Sequence, residues 1–229
     1  MNLIFNVYSF TNSFKPLPMK YYEPLQADHI YHIFSRAVGS EKIFTCWENY
    51  LLFLHRFEKF ISPIADVYAY CLLPNHFHFL IRIKPPLLLE EKFKTLKPGR
   101  KITDGWQPKF VMQQFSNLLN SYAKKFNLLY DRKGALFIDY LRRVEIETED
   151  QFISTVFYIH KNPVHHGYCK EMTNWESSSY KNILTNSAGL LPLAGILNWF
   201  GSIDNFMEIH AQPVYLKKKF PDKIEFPNL

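Results

Sequence analysis

Cysteine is scarce in this chain. Among 229 residues there are three, Cys46, Cys71 and Cys169, scattered, odd in number and without a C-x-x-C pair. That argues against a disulfide framework and for a reduced, cytoplasmic setting. No apolar run reaches the roughly 18 residues that a membrane helix needs, so no membrane partner is expected. The opening MNLIFNVYSFTNSFKPLPMK lacks a basic start and a small-residue cleavage site, and does not read as a signal peptide. No P-loop is present, so no nucleotide cofactor is expected. Acidic residues are the minority charge, 21 against 27 Lys and Arg, for a formal net charge of +6 and a pI of about 9.0. A basic balance favours an acidic partner, most often nucleic acid, over a neutral metabolite. Many basic proteins bind no nucleic acid, so charge alone decides nothing.

What the chain does have is apolar and aromatic material, 47% and 17% of residues, enough to bury a sizeable core. The length suggests one domain with elaborations. HIYHIFSRAV (29–38) is strand-like in its aromatic and β-branched content. WENYLLFLHRFEKFI (47–61) places Leu51, Leu54, Phe57 and Ile61 at helical spacing. ADVYAYCLL (65–73) returns to strand alternation, Pro74-Asn75 supplies a turn, and HFHFLIRI (76–83) is the next strand. Residues 84–109, broken by proline and glycine and holding seven Lys or Arg against three Asp or Glu, read as a mobile basic loop. FVMQQFSNLLNSYAKKFNLL (110–129) is an amphipathic helix with Phe115, Leu118, Leu119, Tyr122 and Phe126 on one side. ALFIDYLRRVEI (135–146) reads as a strand. In the helix that follows, Thr148 and Gln151 form a capping box and Pro163 sets the stop. The order β-α-β-β-α-β plus a final helix predicts an α+β, ferredoxin-like antiparallel sheet with helices on one face. Residues 1–26 read as an extension, with Met19 just before the first patterned segment, 27–186 as the principal domain, and 187–229 as a small helical appendage and tail.

The sheet carries one costly feature. His76 and His78 alternate with Phe77 and Phe79, so both imidazoles leave the same strand face, roughly 6.5–7 Å apart along it, while the phenylalanines enter the other face. An H-x-H pair can converge on one divalent metal ion; the bland alternative is two half-exposed rings on a sheet surface. The pair needs a third ligand. In the helix from 149 to 162, Tyr158 and Asn162 lie one turn apart on a polar stripe with Gln151 and Thr155, nearly opposite the centre of the apolar face made by Phe152, Ile153, Val156, Phe157 and Ile159. His160 falls among the apolar positions and reads as a packed, structural histidine. The ordinary alternatives are an interfacial tyrosine and an asparagine before a proline.

YHIFSRAVGSEKIF, YCLLPNHFHFLIRI and FYIHKNPVHHG, in this order and spacing, resemble the REP-associated tyrosine transposases, single-tyrosine members of the HUH endonuclease superfamily. The likeness spans roughly Ala27 to Tyr180. It implies a ferredoxin-like nuclease fold, a divalent metal held by His76 and His78, Asn162 as third metal-facing residue, and Tyr158 as nucleophile. Related insertion-sequence enzymes usually have Gln at the place of Asn162; the Asn oxygen is a sound hard-metal ligand on a shorter stem. The implied ion is Mg²⁺, with Mn²⁺ able to substitute. The implied partner is single-stranded or hairpin DNA, bound through Lys94, Lys97, Arg100 and Lys101 in the basic loop and through Lys124, Lys125, Arg132, Lys133, Arg142 and Arg143, with Trp106 available for stacking. Whether the chain acts as monomer or homodimer stays open. Two other readings remain: a catalytically inactive or domesticated single-stranded nucleic-acid binder on the same fold, and a hydrolase that activates water at the metal.

Overall fold

The computed structural model describes residues 23–138, 141–187, 189 and 191–212. Residues 1–22 of the expected extension, Tyr140 within the expected fourth strand, and the lysine-rich tail from 213 lie outside them. Four strands, β1 (Ile30–Arg36), β2 (Ala65–Leu73), β3 (His76–Ile83) and β4 (Arg142–Ile146), form one antiparallel sheet in the order β2-β3-β1-β4. Helix α1 (Trp47–Phe60) connects β1 to β2, and α3 (Trp106–Leu129) leads from β3 towards β4. This is the ferredoxin-like order expected from the sequence pattern.

Alternation on β3 divides the interior in two. Phe77 and Phe79 enter a core with Phe53 and Phe57 of α1 and Phe115, Leu118, Tyr122 and Phe126 of α3. Phe79 stacks on Phe57 with ring centroids 4.0 Å apart. The opposite face is also covered. Helix α4 (Glu149–His165) lays Phe152, Val156 and Ile159 against Tyr68, Ala69, Cys71, Leu73 and Leu80 of β2 and β3. A register shift between Val67 and Ala69 sends both Tyr68 and Ala69 to this face. The helices of the βαββαβ unit thus share one face, while the final helix covers the other.

Several local expectations are corrected. The segment read as a mobile basic loop contains an eleven-residue helix, α2 (Pro86–Leu96). Proline at its first turn loses no bond the helix could have made, and Leu89 is buried to anchor it. Helix α3 begins at Trp106, because Gly105 takes the left-handed conformation (φ 66°) that turns the chain into it. Among the described residues of the strand expected over 135–146, only Arg142–Ile146 pairs continuously, with one isolated bridge from Phe137 to Ala37. Pro163 does not stop α4, which runs to His165. A proline near the end of a helix removes one donor, and the next turn still closes through the His166 N–H to Asn162 carbonyl bond of 3.0 Å. The capping box is present as expected, with the Gln151 N–H donating to Thr148 Oγ1 and Gln151 Oε1 accepting from the Thr148 N–H.

The C-terminal region protects the sheet edge. The Leu72 N–H donates to the Ser177 carbonyl (2.8 Å), the Ser179 N–H to the Tyr70 carbonyl (3.0 Å), and the Ala194 N–H to the Val67 carbonyl (2.6 Å). These bonds satisfy outer groups of β2 that would otherwise offer a pairing template. Short helices α5 (Tyr180–Leu184) and α6 (Leu197–Phe200) and then α7 (Ile203–Ala211) continue the chain, and Phe200 and Phe206 join the core under α4. Among the described residues, no helix is long and apolar enough to cross a membrane.

Candidate active site on the second sheet face

The site forms where β1 and β3 meet α4. Strand alternation puts His76 and His78 on the α4 side, as expected, but neither is a half-exposed surface ring: they are 1% and 0% exposed. Helix α4 brings Tyr158 and Asn162 over them. The polar stripe does not face away from the sheet as expected: Asn162 meets His76 and Tyr158 meets His78 and His32 on it, while Phe157 and His160 turn to the C-terminal helix, so Thr155 and Asn162 are buried and Tyr158 is half-buried. The Tyr158 ring stands edge-to-face against His78, with centroids 5.4 Å apart at 85°, and against His32 at 5.8 Å and 73°. His76 and His78 are themselves 5.1 Å apart and nearly perpendicular.

The hydrogen bonds define how the rings are set. His76 Nδ1 lies 2.7 Å from Asn75 Oδ1, and His76 Nε2 lies 3.2 Å from Asn162 Oδ1. Burial lowers the His76 pKa to about 4, against a smaller raising by Asn162, with His166 and Arg36 lowering it further. The ring is therefore neutral near pH 7 and carries one proton. That proton serves one of two amide oxygens, Asn75 Oδ1 at the shorter distance or Asn162 Oδ1 at the longer. His78 is also held neutral, well below its ordinary range, by burial first and by His76, His32 and His166 after it. Its Nδ1 lies 3.0 Å from His32 Nε2.

This donor set fits a divalent cation. His76 Nε2 and Asn162 Oδ1 are hydrogen-bond neighbours at 3.2 Å, and with the ring proton on Nδ1 both would present lone pairs to a shared cation. Neutral imidazole and amide oxygen suit Mg²⁺ or Mn²⁺ better than a soft ion. Among the described residues, no three His, Cys, Asp or Glu side chains gather as a metal centre, so the candidate set is two imidazoles with an amide.

Four residues of this neighbourhood were not singled out by sequence reasoning. Asn75, taken only as a turn former, orients His76. His32 lies under His78 and Tyr158. His166, just past α4, has its ring 5.1 Å from His76. Arg36 pairs in register with His76 across β1 and β3. The strand pattern carried a signal for His32 and Arg36, since they share parity along β1, but only the β1–β3 register shows which side of the sheet they join.

The basic residues are not gathered at this site. Helices α2 and α3 pack on the other sheet face, and they carry Lys94, Lys124 and Lys125, all exposed, with Lys97, Arg100 and Lys101 exposed in the turn between them. Lys94 pairs with Glu90 at 2.6 Å. Trp106 packs against Phe93, with centroids 4.8 Å apart. Lys133 is exposed in the turn after α3. Arg132 makes a two-pronged ion pair to Glu41 (2.5 and 2.7 Å) and donates to the carbonyls of Gly134 and Ala135. Arg143 is buried and donates to the carbonyls of Glu23 and Leu141. These two arginines hold the fold together. Arg142 pairs in register with Phe34, whose ring lies 5.8 Å from His78, so among the expected DNA contacts Arg142 is the one on the site face.

No family model matches the chain, and no curated protein matches it. Among solved structures it is similar to the REP-associated tyrosine transposase bound to a REP hairpin, with a TM-score of 0.51 and 14% identity over 77% of this chain and 92% of that one. The chain has the α+β fold of that transposase, a four-stranded antiparallel sheet with helices packed around it.

Proposed function

We propose that this protein is a metal-dependent DNA strand transferase that cleaves and rejoins single-stranded or hairpin DNA through Tyr158. The observation that carries the reading is the convergence of Tyr158 and Asn162 from α4 onto His76 and His78 from β3. The fold shared with a transposase bound to a DNA hairpin supports the substrate class.

In the proposed reaction, Tyr158 Oη attacks the scissile phosphorus. The new O–P bond makes a 5′-phosphotyrosine, the bond to the 3′ oxygen breaks, and the phenolic proton is passed on as the 3′-hydroxyl forms. The reverse attack by a 3′-hydroxyl releases the tyrosine and rejoins the strand, so the covalent bond conserves the energy and no nucleotide hydrolysis is needed. His76, His78 and Asn162 would hold the metal ion. When bound, that ion polarises the phosphate and offsets the charge that develops on it. Asn75 holds the His76 ring so that Nε2 faces the site. Tyr158 stays half-exposed and so within reach of a strand, while the groups beneath it are shielded from water.

The test is a denaturing gel and mass spectrum of protein incubated with a single-stranded hairpin and Mg²⁺ or Mn²⁺. The expected result is an adduct on the peptide containing Tyr158. Tyr158→Phe, which removes only the reacting oxygen, should abolish both adduct and cleavage and leave DNA affinity within a few-fold, because phosphate contacts dominate it. An adduct on Tyr168 or Tyr140 would overturn the residue assignment. Cleavage undiminished in Tyr158→Phe would move the protein to the water-activating nucleases, and binding without cleavage would favour the inactive binder.

A further inference from the structure

His32 sits at the centre of β1, 0% exposed, where an apolar side chain would pack at no desolvation cost. Its Nδ1 meets no hydrogen-bonding partner. Its Nε2 lies 3.0 Å from Nδ1 of His78, the two rings stack with centroids 5.1 Å apart at 26°, and Tyr158 stands edge-to-face against it. A buried histidine with one polar atom unsatisfied and the other placed on a candidate ligand is poorly explained by packing.

Both rings are 0% exposed, where a charged imidazole is costly. Each therefore carries one proton, and the nitrogens facing each other at 3.0 Å must be one donor and one acceptor. Two arrangements exist. If His32 donates, His78 carries its proton on Nε2 and has no lone pair there to give. If His32 accepts, His78 is protonated on Nδ1 and its Nε2 is a lone pair. For His76 the second arrangement is the one with the shorter bond, Asn75 Oδ1 lying 2.7 Å from Nδ1. The Asn75 atom that faces His76 is the amide oxygen, which accepts. On the His78 side the same place is taken by a ring that could do either.

We infer that His32 is a positioning residue: it accepts the Nδ1–H of His78, fixes that ring in the tautomer whose Nε2 lone pair faces the site, and thereby prepares His78 as a metal ligand. The unsatisfied Nδ1–H of His32 is what this arrangement costs. The inference rests on the metal reading above. In general, loss of the group that orients a ligating histidine weakens metal binding about 10–100-fold.

The experiment has two parts. In metal-free wild-type protein at neutral pH, a long-range ¹H–¹⁵N spectrum of the histidine rings should show His78 protonated on Nδ1; protonation on Nε2 would overturn the inference without any variant. Mn²⁺ affinity, read by electron paramagnetic resonance of the free ion, should fall about 10–100-fold in His32→Phe. His32→Gln, whose side-chain oxygen can accept from Nδ1–H, should bind Mn²⁺ within about threefold of wild type, a rescue that a purely structural role would not produce. Equal affinity in wild type and His32→Phe, or equal loss in both variants, would overturn it. If wild type binds no Mn²⁺ that His76→Ala releases, the metal reading itself fails, and this inference with it. If it does bind and His32→Phe is silent, the inference alone falls.

Discussion

Acid should unfasten the C-terminal helix from the back of α4. His160 and His210 are 0% and 2% exposed and are joined by a hydrogen bond of 3.0 Å between His160 Nδ1 and His210 Nε2. His210 Nδ1–H donates to the Phe206 carbonyl at 2.7 Å, which leaves its Nε2 as acceptor and makes His160 Nδ1 the donor. His160 Nε2 then accepts from the Ser179 hydroxyl at 2.9 Å, and Ser179 Oγ accepts from the Tyr70 N–H at 2.9 Å. The chain of bonds is complete with one proton on each ring, and a further proton would set two donors against each other. Burial, more than the helix carbonyl opposing it, lowers the His210 pKa to about 4, and burial with His210 beside it puts His160 well below its ordinary value. The unfolded chain takes up the proton near pH 6.5 and the folded one near 4, so stability is lost as pH falls through that window and levels off below it. For His210 alone the loss is about 2 kcal/mol at pH 5 and about 3 kcal/mol at pH 4. That is a large share of the roughly 5–15 kcal/mol that holds a domain folded. Urea unfolding at pH 7, 6, 5 and 4 measures it. Other buried histidines contribute their own slope, so the comparison is with His210→Phe, which should be less stable at pH 7 but lose about 2 kcal/mol less between pH 7 and pH 5. Parallel pH profiles for the two proteins would refute the reasoning.

Three further outcomes are expected. His76→Ala or His78→Ala should lower cleavage on the order of 100-fold or more, and EDTA should abolish it until Mg²⁺ or Mn²⁺ is restored; full activity in chelator would remove the metal assignment. Neutralising Lys94, Lys97, Arg100 and Lys101 together should reduce the log–log salt slope of DNA binding by up to about 0.7 for each phosphate the protein then leaves unneutralised. An unchanged slope would mean that the strand keeps to the α4 side of the sheet, away from α2. Phe77→Ala should cost about 3–5 kcal/mol in chemical unfolding, since its ring is 1% exposed and lies 5.0 Å from Phe53 and 5.7 Å from Phe79; a change below about 1 kcal/mol would contradict its place in the core.

Local patterning determined a great deal of this protein. Period-two alternation gave β2 and β3 their limits and sent Phe77 and Phe79 opposite to His76 and His78, because a strand has no other way to arrange successive side chains. The Thr148–Gln151 capping box fixed the start of α4, and its apolar periodicity identified the face that meets the sheet. The same periodicity set His160 among buried groups. Local signals fail where competing contacts decide. Proline and glycine in 84–109 suggested a loop, yet Leu89 had a core to enter and Pro86 an N-terminal turn to occupy, so a helix formed. Only tertiary structure could bury both faces of α4, because the second covering layer comes from helices more than thirty residues later in the chain. It alone could bring His32 under His78, since strand register is a property of two segments and of neither separately. It also assigned Arg132 and Arg143 to holding loops and strands together, while leaving the lysines of α2 and α3 on the far side of the sheet from Tyr158. Charge type is written in the sequence, but the surface a charge serves is fixed by what it packs beside.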